Sequence, residues 1–246
     1  MKTLIFLIAI GFITTSFSCA DSLAKNANSD KGFAVVELFT SEGCSSCPPA
    51  DKAVADLLKE HTSNVYVLGY HVDYWDNLGW KDKFSNAAYS QLQRNYAHDL
   101  KSGSVYTPQI IVNGTEAFVG SDKNKLIAAV TKGLQQSSDI KLGIDAKASN
   151  NQTVNVSFTT NASDANVHIA LVQLSAENKI ERGENTGATL HHVNIVRDIK
   201  TLTAPANGHI ALTIPADLSS KDCSVIAFIQ NINDNKITAA TEVSIQ

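Results

Sequence analysis

The stretch from Thr40 to Asp51, TSEGCSSCPPAD, places Cys44 and Cys47 in a Cys-x-x-Cys motif between a strand pattern and a helix pattern. The preceding run FAVVELF, residues 33–39, is apolar and rich in β-formers, which predicts a buried strand. The Pro-Pro pair at 48–49 fits only in the first turn of a helix, where the missing N–H costs nothing. Apolar residues then recur at helical spacing: Ala50, Val54, Leu57 and Leu58. The motif is therefore predicted at a strand-to-helix turn, with the helix beginning nearer Cys47 than Cys44.

The segments after this turn continue the α/β pattern. NVYVLGYH, residues 64–71, predicts a second buried strand, and a strand, helix, strand order implies a parallel pair. An aromatic, Asp-rich loop and a second helix pattern follow. Asn113-Gly114 then joins two short apolar runs, which is the strongest short-range signal for a hairpin, and an amphipathic helix comes after it. This order predicts a thioredoxin-like α/β domain over residues 32–138, with a mixed central sheet and an inserted helix.

The second half of the chain has a different texture. From about Asp139 onward, seven alternating or β-branched runs are separated by turn residues, and no helix-length pattern interrupts them. Short strands at such spacing are typical of a β-sandwich. We therefore expect residues 139–246 to form an all-β, sandwich-like C-terminal domain.

A Cys-x-x-Cys pair at a helix N-terminus is typical of thiol–disulfide exchange. The thiolate is the attacking species, and the positive end of a helix lowers the pKa of a cysteine placed there. Two intervening residues keep the second sulfur close enough to resolve a mixed disulfide by intramolecular attack. We assign Cys44 as the attacking cysteine and Cys47 as the resolving one.

Other uses of the pair remain open at this level. A structural zinc site needs four ligands, whereas the chain offers one cysteine pair with His71 and Cys223 as distant additions, so we assign no metal ligands. A cuprous ion needs fewer than four ligands. Two thiolates together with an imidazole such as that of His71 would hold a cuprous ion. A redox-inert staple is a third use, although so small a loop contributes little by the chain-entropy account.

Thr107-Pro108 stands at the entrance to the first strand of the hairpin. In thioredoxin-like proteins an equivalent proline is cis and faces the dithiol, and the residue before it offers backbone groups to an extended substrate. An ordinary trans turn is the alternative, since most X–Pro bonds are trans. Taken with the order of elements, the motif predicts a cis bond and a substrate-binding edge at Thr107 and Pro108.

The N-terminus has the composition of an export signal. Lys2 precedes an apolar run and small residues, and residues 1–19 are too short to span a membrane as a helix. Cys19 is a candidate for lipidation, which would attach the chain to a membrane surface, with simple cleavage near Ala20 as the alternative. Residues 20–31 would form a polar tether. We expect a periplasmic or cell-envelope location, membrane-anchored if Cys19 carries lipid.

Charge excludes one class of partner. The formal net charge is −4, so no basic surface indicates nucleic acid. Exported chains occupy compartments in which disulfides persist. The partners expected are therefore exported proteins that carry thiols or disulfides.

Four ordered segments resemble a known family. They are VVELFTSEGCSSCPPAD, HVDYWDNLGWKDKFS, YTPQIIVNG and RGENTGATLHHVNIVRD. They resemble segments of a secreted bacterial thioredoxin-like family known as domain of unknown function 1223, and the likeness runs from about Val35 to the end of the chain. The resemblance implies a thioredoxin-like fold with a β-rich C-terminal extension, and the biochemical role of the family is not established.

The chain departs from ordinary thioredoxins beside the motif. Thioredoxins usually place a Trp before the first cysteine and a buried Asp six residues before it, where this chain has Gly43 and Leu38. Glu37 is the nearest acid on the strand and a candidate to relay a proton to Cys47, with a salt-bridged or solvated Glu as the alternative.

The loop after the second strand contains both Trp residues, Trp75 and Trp80. Because the carboxyl ends of such strands converge on the site, this loop is a candidate for the missing aromatic wall beside Cys44. Its neighbouring polar residues are candidate acid–base or orienting groups: His71, Asp73 and Asp76. The alternative is a small loop core with acids that cap turns.

A polar cluster follows the strand that ends near Ile180. It consists of Arg182, Glu184 and Asn185. These residues either order a long loop or dock the C-terminal half onto the first domain.

The leading hypothesis from the sequence is an exported thiol–disulfide oxidoreductase that needs no cofactor. The alternatives are a cuprous-ion-handling envelope protein and a non-catalytic binding module with a thioredoxin-like fold.

Overall fold

The computed structural model describes residues 32–61 and 63–246. The predicted signal segment, the tether and Cys19 lie outside these residues. Three α-helices are present in the described residues: α1 (Pro48–Glu60), α2 (Ala87–Asp99) and α3 (Lys123–Leu134). Among the residues described, no helix is long and apolar enough to cross a membrane.

The first half contains four strands, which are β1 (Ala34–Thr40), β2 (Val65–His71), β3 (Gln109–Val112) and β4 (Glu116–Val119). With the helices they follow the order β1, α1, β2, α2, β3, β4, α3, which confirms the predicted order of strand, helix, strand, inserted helix, hairpin and helix. β1 is parallel to β2 and antiparallel to β3.

The hairpin between β3 and β4 turns at Asn113 and Gly114, both with positive φ (48° and 74°). A β-carbon at Gly114 would lie 1.9 Å from the Asn235 carbonyl oxygen, so only glycine fits this close approach. The Asn113 side chain also accepts a hydrogen bond from the backbone N–H of Val35 at 2.7 Å. The turn is thereby fixed to the central sheet.

The second half contains the seven predicted strands and a short 3₁₀-helix (Ser220–Asp222). The strands are β5 (Leu142–Asn150), β6 (Thr153–Thr160), β7 (Ala165–Lys179), β8 (Thr189–Thr203), β9 (Asn207–Thr213), β10 (Cys223–Asn231) and β11 (Ile237–Ser244).

Strand pairing corrects the expectation of a separate C-terminal sandwich. One eight-stranded mixed sheet runs in the order β11-β10-β7-β8-β2-β1-β3-β4, and a three-stranded antiparallel sheet has the order β5-β6-β9. β8 lies parallel to β2, with Gly69 opposite Ile195. Four strands from the second half therefore extend the central sheet, and the sandwich-like pair of layers in that half shares one layer with the first half.

Three apolar cores follow from this arrangement. One lies between the central sheet and helices α1 and α3, and another packs the opposite face of the sheet against α2. The third lies between the three-stranded sheet and strands β7, β10 and β11. β1 and β2 are buried along their whole length, so the turn after β1 is held by a fully packed strand.

Candidate active site

Cys44 and Cys47 form a disulfide at the turn between β1 and α1, with their Cα atoms 5.4 Å apart. The Cys47 N–H donates to the Cys44 carbonyl at 3.2 Å, and Cys47 is the N-cap of α1. The helix thus begins after Cys47, as the Pro-Pro pair predicts, and both prolines lack the N–H that a first-turn residue would present. The Cys44 sulfur lies 3.3 Å from the Ser46 hydroxyl, within hydrogen-bond distance.

The Thr107–Pro108 peptide bond is cis, which confirms the predicted conformation. A β-carbon added to Gly120 would lie 3.1 Å from the β-carbons of both Pro108 and Ala50, so the proline packs close to the first turn of α1. The Thr107 carbonyl accepts from the Ser46 hydroxyl at 3.5 Å. The cis-proline segment and the cysteine turn are therefore neighbours.

The two Trp residues occupy different sides of the turn. Trp75 donates from Nε1 to the Thr107 hydroxyl at 2.8 Å, and its β-carbon lies close to Gly43. Trp80 donates from Nε1 to the Glu42 carboxylate at 2.8 Å. The loop thus surrounds the cysteine turn, but only Trp75 contacts the predicted substrate-binding edge.

A segment of the second half contacts the backbone of the cysteine turn. This cover segment, residues 181–188, connects β7 to β8. The Asn185 side-chain amide donates to the carbonyls of Glu42 and Cys44 at 2.8 and 3.0 Å, and the Ser45 N–H donates to the Glu184 carboxylate at 3.2 Å. Both cysteines are 0% exposed. Asn185 was expected either to order a long loop or to dock the second half onto the first. These contacts correspond to docking.

Three ionisable side chains that the sequence analysis did not single out lie buried behind the turn: Glu42, Asp51 and His192. The two ring nitrogens of His192 lie 3.4 Å from Glu42 Oε1 and 3.5 Å from Asp51 Oδ1. At these separations the contacts are ion pairs, and neither ring nitrogen makes a hydrogen bond within the described residues. Burial lowers the pKa of His192, but the carboxylates of Asp51 and Glu42 outweigh it and raise that pKa to about 9. We call these three side chains the carboxylate–imidazolium cluster.

Each carboxylate of this cluster has further donors. The second Glu42 oxygen accepts from Trp80, and Oε1 also accepts from the Asn178 side-chain amide. The other Asp51 oxygen accepts from the Thr40 hydroxyl at 3.1 Å. These neutral donors complete the pairing of both buried carboxylates.

His71 and Asp82 form a second buried histidine–carboxylate contact beside this cluster. The His71 Nδ1 lies 2.7 Å from Asp82 Oδ2, and the His71 ring packs edge-on against the His192 ring with centroids 4.8 Å apart. Burial raises the pKa of Asp82, but the positive charge and hydrogen bond of His71 with two backbone N–H donors lower it overall. In the described residues, no group of three His, Cys, Asp or Glu side chains is placed to hold a metal ion.

The acids of the loop contact the backbone and hydroxyl groups around α2. Asp73 accepts from the Ser90 hydroxyl, and Asp76 accepts from the Ser85 hydroxyl at 2.7 Å and from the Asp82 N–H at 3.2 Å. These contacts fix the loop.

Glu37 lies on the opposite side of β1 from the α1 core. Its carboxylate accepts from the Tyr96 hydroxyl at 2.7 Å, and that hydroxyl accepts from the Gln230 amide at 2.8 Å. Burial raises the pKa of Glu37 from 4.5 to about 7, and the Tyr96 hydrogen bond opposes this only in part. The described hydrogen bonds connect Glu37 to α2 and β10 rather than to the cysteine turn.

The signal for the missed residues was present in the opening motif. Glu42 stands two residues before Cys44 and Asp51 four residues after Cys47, so acids flank the pair on both sides. The cation that they share comes from β8, about 140 residues later. Nothing local in the sequence distinguishes His192 from the neighbouring His191.

Comparison with known protein families identifies the same family that the four quoted sequence segments resemble. The family described as a protein of unknown function, DUF1223, matches residues 35–230. The chain belongs to this family. No curated protein matches the chain.

Two solved structures share the architecture. The DUF1223 chain is similar to protein AGR_C_4864 from Agrobacterium tumefaciens, with 28% identity and a TM-score of 0.61 over 85% of this chain and 93% of that one. It is also similar to HBP35 of Porphyromonas gingivalis, with 18% identity and a TM-score of 0.59 over 87% and 76% of the two chains. The second likeness concerns the fold alone.

Proposed function

We propose that this DUF1223 protein is an exported thiol–disulfide oxidoreductase built on a thioredoxin-like core. The observation that carries the proposal is the Cys44–Cys47 disulfide at a strand-to-helix turn beside a cis Thr107–Pro108 bond. Trp75 and Ser46 both contact Thr107, which joins the pair and its neighbouring edge into one site.

The exchange needs no group beyond the two cysteines and a partner dithiol. A partner thiolate attacks one sulfur, the S–S bond breaks, and the other sulfur leaves as a thiolate. The partner's second thiolate then attacks the mixed disulfide and releases Cys44 and Cys47 as thiols. Two electrons and two protons pass from the partner dithiol to the pair, and the reverse sequence oxidises the pair.

The environment of Cys44 favours a reducing role. Pro48 and Pro49 remove two N–H donors from the first turn of α1, and the Ser45 N–H is taken by Glu184. A Cys44 thiolate then relies on the Ser46 hydroxyl, 3.3 Å away. Weak stabilisation of the thiolate favours the disulfide form over the dithiol form. The reduced pair therefore donates its two electrons readily to a partner disulfide.

Access to the sulfurs is the step that the cover segment controls. Because both cysteines are 0% exposed, exchange requires residues around the turn to move, and we infer that the segment that moves is residues 181–188. The contacts that must break are those of Asn185 with two carbonyls and of Glu184 with the Ser45 N–H.

The same burial favours a second candidate function. A non-catalytic binding module would keep this disulfide permanently covered, as a part of the packed interface between the two halves. The two functions differ in whether a partner thiol reaches the pair.

The proposal is tested by mixing the reduced protein with a disulfide-bonded protein substrate and following the loss of the substrate disulfide. With the same disulfide-bonded substrate, Cys47→Ser is expected to accumulate a mixed disulfide, because the Cys44 thiolate attacks the substrate disulfide, one substrate sulfur leaves as a thiolate, and no second cysteine resolves the product. Cys44→Ser is expected to lose exchange. Cys223→Ser is the control, because Cys223 is buried in the third core, where burial raises the pKa of its thiol to about 11. Exchange no faster than with the double Cys→Ser variant would support the binding module instead.

A further inference from the structure

The carboxylate–imidazolium cluster joins the two ends of the cysteine turn. Glu42 belongs to the segment that enters the turn after β1, and Asp51 belongs to the first turn of α1, which leaves it. His192 on β8 lies between them, 3.4 and 3.5 Å from their oxygens. One side chain from the second half of the chain therefore contacts both sides of the redox motif.

Hydrogen bonds connect the backbones of these two acidic residues to the backbones of the cysteines. The Asp51 N–H donates to the Cys47 carbonyl at 3.1 Å. The carbonyl of Glu42 and that of Cys44 accept from the same Asn185 amide. The backbones of both acidic residues are therefore tied to the backbone of the cysteine turn.

The charges that face His192 come from three elements. Glu42 follows β1, Asp51 lies on α1, and His71 on β2 presents its ring edge while its own Nδ1 contacts Asp82. The raised pKa of His192, about 9, means that the imidazole carries a positive charge at neutral pH. That charge is matched by the two carboxylates and is kept from solvent, since the His192 side chain is 2% exposed.

We propose that His192 is a positioning residue for the Cys44–Cys47 exchange: its imidazolium holds Glu42 and Asp51, and with them the two ends of the cysteine turn, and stabilises the reduced pair. The inference rests on the proposed oxidoreductase function and deepens it. Reduction adds negative charge at the turn when a thiolate forms. Without the imidazolium, that thiolate would face two uncompensated carboxylates.

The test compares adjacent histidines in the full mature chain. His192→Gln removes the buried cation, whereas His191→Gln is the matched control, because His191 is 69% exposed and contacts only Glu177 in the described ion pairs. Each variant is equilibrated with glutathione buffers from pH 6 to 10, and the fraction of reduced pair is measured by thiol trapping and mass spectrometry.

We expect His192→Gln to lower the equilibrium constant for reduction about tenfold at pH 7, which is about 30 mV toward more negative potential. The difference from the wild type should diminish as pH rises above 9, because wild-type His192 then loses its proton. His191→Gln should follow the wild type throughout. A His192→Gln curve that coincides with the wild type at pH 7, or a difference that persists unchanged above pH 9, would overturn the proposal.

A second measurement uses the unmutated protein and so does not depend on the folding of a variant. The pKa of His192 is followed by imidazole ¹⁵N chemical shifts in the oxidised and the reduced protein. Because coupling between two sites is reciprocal, reduction should raise the His192 pKa if the charge supports the reduced pair. Equal values in the two states would overturn the inference. A wild-type pair that never exchanges with glutathione would instead reject the oxidoreductase function itself.

Discussion

Glu37 and Glu42 are buried acids five residues apart, and they differ in whether the partner of the carboxylate is neutral or positively charged. Glu37 is paired with the phenol of Tyr96, and burial raises its pKa to about 7. Glu42 accepts from Trp80 and Asn178 and also faces the His192 imidazolium. Burial with a neutral donor favours a protonated acid, whereas burial with a cation maintains an ion pair. The charged arrangement is the one beside the cysteines.

This difference should divide the pH dependence of stability into two windows. Between pH 4.5 and 7 the unfolded chain releases the Glu37 proton while the folded chain retains it, so stability falls as pH rises. Between pH 6.5 and 9 the unfolded chain releases the His192 proton while the folded chain retains it, so stability falls again. Each step is worth about 3 kcal/mol.

Urea unfolding across pH measures these steps. Glu37→Gln should remove the lower step and keep the upper one, and His192→Gln should do the reverse. A single variant that removes both steps, or stability that rises across either window in the wild type, would break the comparison.

Substitution of the two acids at pH 7 should separate them further. Glu42→Gln leaves the buried His192 charge with Asp51 alone and should cost about 3 kcal/mol, the lower end for a broken buried ion pair. Glu37→Gln keeps an acceptor for Tyr96 and should cost less than about 1 kcal/mol.

Glu177→Gln is the surface control for this pair of variants. It removes the exposed contact with His191 at 3.2 Å, and exposed pairs contribute roughly 0 to 1 kcal/mol. Urea unfolding of all three variants provides the ranking. Equal losses for Glu42→Gln and Glu177→Gln would show that burial of the cluster contributes nothing to stability.

The last expected effect, smaller than that of Glu42→Gln, concerns the cover segment. Asn185→Ala removes two hydrogen bonds to the turn, each worth about 1 kcal/mol. The open form should therefore become about 30-fold more populated, and reduction by dithiothreitol about 30-fold faster. Thr186→Ala is the control, because its described hydrogen bond, to the Gly183 carbonyl, stays within the segment. Equal rates for Asn185→Ala and the wild type would mean that the segment does not limit access.

Local pattern was sufficient for much of the fold. Strand and helix periodicity and the Asn113-Gly114 turn predicted the order of elements in the first half, and alternation predicted seven strands in the second. Alternation identifies a strand but not its neighbour. The pairing of β8 with β2 joins residues about 125 positions apart, and no local signal encodes it. The merged central sheet was for this reason not predicted.

The same limit applies to the site. The cysteine motif and the cis Thr107–Pro108 bond were accessible from the sequence, since each rests on neighbouring residues. The choice between His191 and His192 depends on which face of β8 is buried. The register of that strand decides it, because successive side chains point to opposite faces. Glu37 was a candidate only because it is the nearest acid on the strand before the cysteines.

The most direct test of the account is the reduction potential of the Cys44–Cys47 pair, measured on the mature protein in glutathione buffers with thiol trapping. The account predicts a potential within the range of exchange proteins, roughly −120 to −270 mV, toward the reducing end. A potential below about −300 mV, typical of structural disulfides, or a pair that never forms the disulfide, would contradict it.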